Sequence, residues 1–145
     1  MNSRAVATDS QAGSASTSLR LALAGLIAAL ILVQALLAGE WLAGKDVIRI
    51  HQANGFFIVL LAVVQMGVVA ATVRGSRRTA ALLMASLFLL LVALQLALGL
   101  AGYDSANQAR ALHIVNGVLL FGLACGNVAL ALPRSASDAD VPATR

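Results

Sequence analysis

Four runs of about twenty mostly apolar residues, at 19–39, 53–73, 79–102 and 111–132, leave this chain few ways to fold. Each is long enough to carry a helix through about 30 Å of hydrocarbon. In lipid the backbone N–H and C=O groups have no water to bond, so a spanning segment must be a helix or part of a closed barrel. The runs show none of the alternation, roughly ten residues long, of a barrel strand. The sequence therefore predicts an all-α integral membrane protein, a four-transmembrane-helix bundle. Composition points the same way: 60% of the 145 residues are hydrophobic and 11% charged, too few charges to clothe a water-facing surface. A soluble enzyme, a disordered chain and a secreted disulfide scaffold are excluded together. The lone Cys125, inside the fourth run, reads as a small packed residue.

Residues 1–18 are rich in Ser, Ala, Thr and Gly without apolar periodicity and read as a disordered head, and 133–145 as a similar tail. The first run is long for the apolar core of a signal peptide and is expected to stay in the membrane. Arg4, Arg20, Arg74, Arg77, Arg78, Arg134 and Arg145 all fall on one side of the bilayer. The other side carries Lys45, Arg49 and Arg110, diluted by Glu40, Asp46 and Asp104. The positive-inside rule then predicts a multi-pass protein of a bacterial-type inner (plasma) membrane with both termini in the cytoplasm. Trp41 and Tyr103 fall at outer helix ends, where amphipathic rings favour the headgroup layer. Topology thus explains the net charge of +4; no basic stripe or aromatic platform points to nucleic acid.

An internal repeat narrows the reading further. His51-Gln52-Ala53-Asn54-Gly55 recurs as His113-Ile114-Val115-Asn116-Gly117, and these are the only two histidines in the chain. Fourteen residues after each comes an amide within the apolar run, Gln65 and Asn127; Gln34 and Gln95 hold similar places near the outer ends of the odd-numbered spans. Two helices per unit make the units parallel, so the bundle is expected to consist of two parallel helical-hairpin repeats about an axis along the membrane normal. If the helices are ordered around a ring, the two histidines then lie at equal depth on diagonal helices and can face the centre. Asn at plus three and Gly at plus four share the histidine face, and Gly lets a bulky group approach the backbone.

Facing imidazoles on opposed helices can hold a haem iron axially, because neutral imidazole nitrogen binds iron and a bundle interior accepts a flat apolar macrocycle. The candidate ligands are His51 and His113, with Asn54, Asn116, Gly55 and Gly117 around them. Arg49 and Arg110, two and three residues before the histidines, are candidates to pair with propionates or are ordinary interfacial arginines. The absence of Cys-x-x-Cys-His makes the expected cofactor a non-covalent haem b. Duplication alone would also produce the repeat, so the symmetry is read directly and the ligand is inferred from it. Copper or zinc would find only two histidines and loop carboxylates. Gln34, Gln65, Gln95 and Asn127 are expected to bond across helices as structural glue, with Gln34 and Gln95 able to donate to an imidazole or line a quinone pocket. Met66 reads as packing.

No Ser-His-Asp grouping, phosphate loop or paired membrane carboxylate is evident, so an electron carrier, haem handler or redox sensor is expected rather than an enzyme. Its partners are the bilayer and a quinone or another membrane redox protein. The alternative is a non-haem accessory or assembly subunit, packing the small-residue face of Gly25, Ala28 and Ala29 on a larger complex or another copy. A transporter lacks the membrane-centre charge or broken helix it needs.

The layout of His51 and His113, on the second and fourth spans and near the outer face, resembles one half of the haem A synthase family. Members of that family consist of two four-helix bundles, each with haem-coordinating histidines on its second and fourth helices. The resemblance covers about 19–132 and implies a four-helix fold with a haem site. Where the family carries a glutamate before the histidine and an arginine after it, Val47, Ile48 and Gln52 stand here, and its loop cysteine pair is absent. The resemblance therefore implies a single b-haem site rather than haem-methyl oxidation. The chain is also similar to small four-helix bacterial membrane proteins carrying His-x-x-Asn-Gly.

Overall fold

In the computed structural model, which describes residues 3–102 and 107–132, the chain forms four helices: α1 (Ser3–Leu42), α2 (Ile48–Thr72), α3 (Arg78–Ala101) and α4 (Asn107–Ala131). All four are long and apolar enough to cross a membrane, over Ser14–Leu42, Ile48–Thr72, Gly75–Ala101 and Gln108–Ala131. Each segment contains most of the corresponding expected span. The differences are one or two turns at the ends, and they place His51 in the first turn of α2.

The turns follow from local chemistry. After Leu42, Gly44 adopts φ +87°, its N–H donates to the Trp41 carbonyl at 2.9 Å, and the Lys45 N–H reaches back to Glu40 O at 3.0 Å. This is the paired closure of a Schellman cap, in which only glycine takes the left-handed position without steric cost. A Lys45–Glu40 ion pair spans the same turn. At the other end of the hairpin, Gly75 (φ +70°) opens a single 3-10 turn, Gly75–Arg77, that starts α3.

The first helix begins at Ser3, so α1 runs on well before the membrane span. Ala5, Ala7, Ala12 and Ala15 favour helix, and no proline interrupts them. A helix nucleated by the span extends outward at the cost of fixing one residue per added bond. The tail 133–145 and Tyr103, Asp104 and Ser105 lie outside the described residues.

The helices form a ring. Each packs on its sequence neighbours, α1 closes onto α4, and the backbones of the diagonal pairs α1/α3 and α2/α4 stay apart among the described residues. The core draws on every helix: Leu23, Ile27 and Ile31, Ile58 and Ala62, Phe88 and Val92, Leu120 and Ala124. Phe88 and Ile27 are the largest fully buried side chains. Outward faces are as apolar as the interior, with Leu36, Leu90 and Val118 exposed by 64, 65 and 70%. Such a surface belongs in lipid. Because lipid tails are as apolar as leucine, packing and interhelical hydrogen bonds must hold the ring together.

Candidate functional site

Above the core, towards the ends of the helices that carry the histidines, the ring encloses a cavity of about 550 Å³ lined by all four helices. Small-molecule and cofactor sites span about 300–1,000 Å³. His51 and His113 both line it, and their ring centroids stand 6.2 Å apart with planes tilted by 54°. The two diagonal helices, whose backbones do not touch, thus bring their imidazoles into contact range across the centre.

The second hairpin holds its histidine through a connected set of bonds. His113 Nδ1 lies 3.0 Å from the Gln95 carbonyl oxygen. A carbonyl can only accept, so Nδ1 carries the proton and donates. In a neutral ring Nε2 then bears the lone pair, and Gln95 Nε2 donates to it at 3.2 Å. The same Gln95 accepts at Oε1 from Asn116 Nδ2 at 2.7 Å, and Asn116 also donates to Leu91 O at 2.9 Å. The buried Asn116 therefore ties α4 to α3 and fixes the glutamine that caps the imidazole.

On the first hairpin Asn54 Nδ2 donates to Gln34 Oε1 at 2.7 Å and to Leu30 O at 3.0 Å. The histidine bond is looser there: the Gln34 carbonyl faces the His51 ring as the Gln95 carbonyl faces His113, but the buried His51 Nδ1 makes no hydrogen bond of good geometry. The glycines of the motif seat these amides. A Cβ at Gly55 would lie 3.3 Å from Gln34 Nε2, and one at Gly117 the same distance from Gln95 Nε2. The bulky group for which glycine makes room is thus the glutamine of the preceding helix. Gly99, one turn beyond Gln95, makes room for the imidazole instead, since a Cβ there would stand 3.0 Å from His113 Cε1.

The two arginines separate. Arg110 lines the cavity, lies over the Trp41 ring at 5.4 Å and donates through Nη2 to Gly102 O at 3.4 Å. Arg49 is exposed and does not line the cavity, so the two are not the equivalent rim cations that their sequence positions suggest. Asn54 and Asn116 touch neither imidazole directly, and only Asn116 is linked to one, through Gln95. Sequence reasoning missed Gly99 and the Trp41–Arg110 stack. Comparing the residue four places after each glutamine, Ala38 against Gly99, would have flagged the first.

At the opposite end, Gln65 and Asn127 are buried as expected, but Gln65 Oε1 and Asn127 Nδ2 have no bonding partner. Met66 sits against Ser86, whose Oγ is 3.9 Å from its sulfur, as a packing residue.

Among the described residues no group of three or more His, Cys, Asp or Glu side chains is placed to hold a metal ion. A pair of imidazoles without a third ligand suits a metal that brings its own equatorial donors, as a tetrapyrrole does. Comparison with protein-family models, curated proteins and solved structures finds no match to this chain.

Proposed function

We propose that this chain is a b-type cytochrome-like membrane protein that holds one haem b between His51 and His113 for electron transfer, haem handling or redox sensing. The observation that carries this reading is the separation of the two rings across an apolar cavity of cofactor size. Imidazole nitrogen bonds a metal at about 2 Å and lies about 1 Å from its own ring centroid, so two axial rings stand roughly 6 Å apart. The observed 6.2 Å matches that spacing.

The chain's own groups have definable parts in this reading. The Gln95 carbonyl fixes the tautomer of His113 and leaves Nε2 as the ligand atom, the usual arrangement behind a metal-bound histidine. Gln95's side-chain amide caps that lone pair and must turn aside for the iron. Arg110, alone of the two arginines, is placed to meet a propionate. Held by His51 and His113, haem would supply one-electron chemistry. The architecture is the one that resembles half of a haem A synthase. The arginine-rich side faces the cytoplasm of a bacterial-type inner membrane, and the histidine side exchanges electrons with a quinone or another membrane redox protein.

The test is absorbance of the purified full-length protein expressed with ample haem. One haem per chain is expected, with a reduced-minus-oxidised spectrum of b type that disappears in His51→Ala and His113→Ala. Colourless, folded protein overturns the reading and favours an accessory subunit.

A further inference from the structure

The arginine end of the bundle holds a second, smaller cavity, of about 40 Å³, lined by residues of all four helices. Gln65 and Asn127 line it and are 5 and 9% exposed, yet Gln65 Oε1 and Asn127 Nδ2 bond to nothing. They are repeat equivalents, each fourteen residues after a histidine, on diagonal helices that no direct hydrogen bond links here. A buried amide atom left without a partner is costly, so two of them facing one void call for an occupant. A void of this size has room for small species such as water or a small ion.

Charge decides which kind. Arg20 lines the same cavity. Its Nε and Nη2 donate to Ser16 O at 3.4 Å and Thr17 Oγ1 at 3.2 Å, on its own helix, and among the described residues no carboxylate pairs with it. Arg74, Arg77 and Arg78 crowd the same end, whereas the only carboxylates among the described side chains, Glu40 and Asp46, lie at the histidine end. A cation would meet this positive field unfavourably. The two ends of an amide are sterically interchangeable, so a half turn of Gln65 presents Nε2 and gives the void N–H donors from both diagonal helices.

We infer that this cavity is a small-anion site, taking a monovalent ion of about the size of chloride between Gln65, Asn127 and Arg20. The site is independent of the histidine cavity and of any haem. It ties α2 to α4 where the bundle otherwise lacks a polar link across the diagonal.

The full-length protein, in detergent, is unfolded in chloride and in gluconate at equal ionic strength, and chloride NMR line width is followed as protein is added. A saturable rise of about 2–4 °C in midpoint with chloride is expected, together with line broadening. Both should be lost in Asn127→Leu, which keeps the volume, and in Arg20→Gln. Equal midpoints in the two salts with no broadening overturn the site and leave a water molecule as the occupant. The wild-type comparison decides this even if a variant fails to fold.

Discussion

The two hairpins carry the same His-x-x-Asn-Gly motif and make the same Asn-to-Gln bonds, yet the second holds its histidine more tightly than the first. In the second, His113 donates from Nδ1 to Gln95 O; in the first, His51 Nδ1 is buried and unpaired. The residue one turn beyond the glutamine differs: Gly99 in the second hairpin and Ala38 in the first. With a Cβ at 99 only 3.0 Å from the His113 ring, the close approach depends on glycine. Alanine at the equivalent place carries the Cβ that glycine lacks, and we take this methyl group as the source of the looser first contact.

The largest effect should come from erasing that difference. Gly99→Ala pushes the His113 ring off the Gln95 carbonyl and removes the bond that fixes its tautomer. Loss of such an orienting partner costs about 10–100-fold in metal affinity. We expect haem retention to fall by that factor, read by transfer of haem to an apo-globin acceptor. Ala38→Gly should act in the opposite sense and slow the transfer, giving His51 the bond it lacks. If Gly99→Ala and wild type release haem equally fast, the methyl group is not the cause of the asymmetry.

Next in size is the stability each glutamine confers. Gln34 has one side-chain partner, Asn54, whereas Gln95 joins Asn116 to His113. Interhelical hydrogen bonds in membranes are worth about 0.6 kcal/mol on average. Gln95→Leu should therefore destabilise the bundle by about 1 kcal/mol and Gln34→Leu by about half as much, measured by denaturant unfolding in mixed micelles. Equal losses would mean that the amide on His113 Nε2 contributes nothing to the fold.

The parts of this comparison that are legible in the sequence are those written along one stretch of chain. Length and apolarity give the four helices, and the repeated motif gives diagonal histidines at one level, because both need only the period of the helix and the count of spans. The Asn54–Gln34 and Asn116–Gln95 bonds depend on how far one helix slides against the next, which no local pattern fixes. The start of α1 is less legible for another reason: alanine-rich sequence can continue a helix that the span has already nucleated. Gly99 is invisible until the ring beside it has been located. Without that ring, it is one more glycine in an apolar helix.

The smallest predicted effect tests the arginines, whose inequality is itself legible in the helical period. Successive residues of a helix are rotated by about 100°, so a residue three places before another lies near the same face and one two places before lies far around the cylinder. Arg110 precedes His113 by three and lines the cavity; Arg49 precedes His51 by two and is exposed. A guanidinium over an indole contributes about 0.5–1 kcal/mol at exposed sites. Arg110→Gln should therefore shift the emission of Trp41, the only tryptophan, and lower stability by up to that amount. Arg49→Gln should leave both unchanged. If the two variants move the Trp41 spectrum alike, the rim is symmetric after all, and the inequality of the hairpins is confined to their histidines.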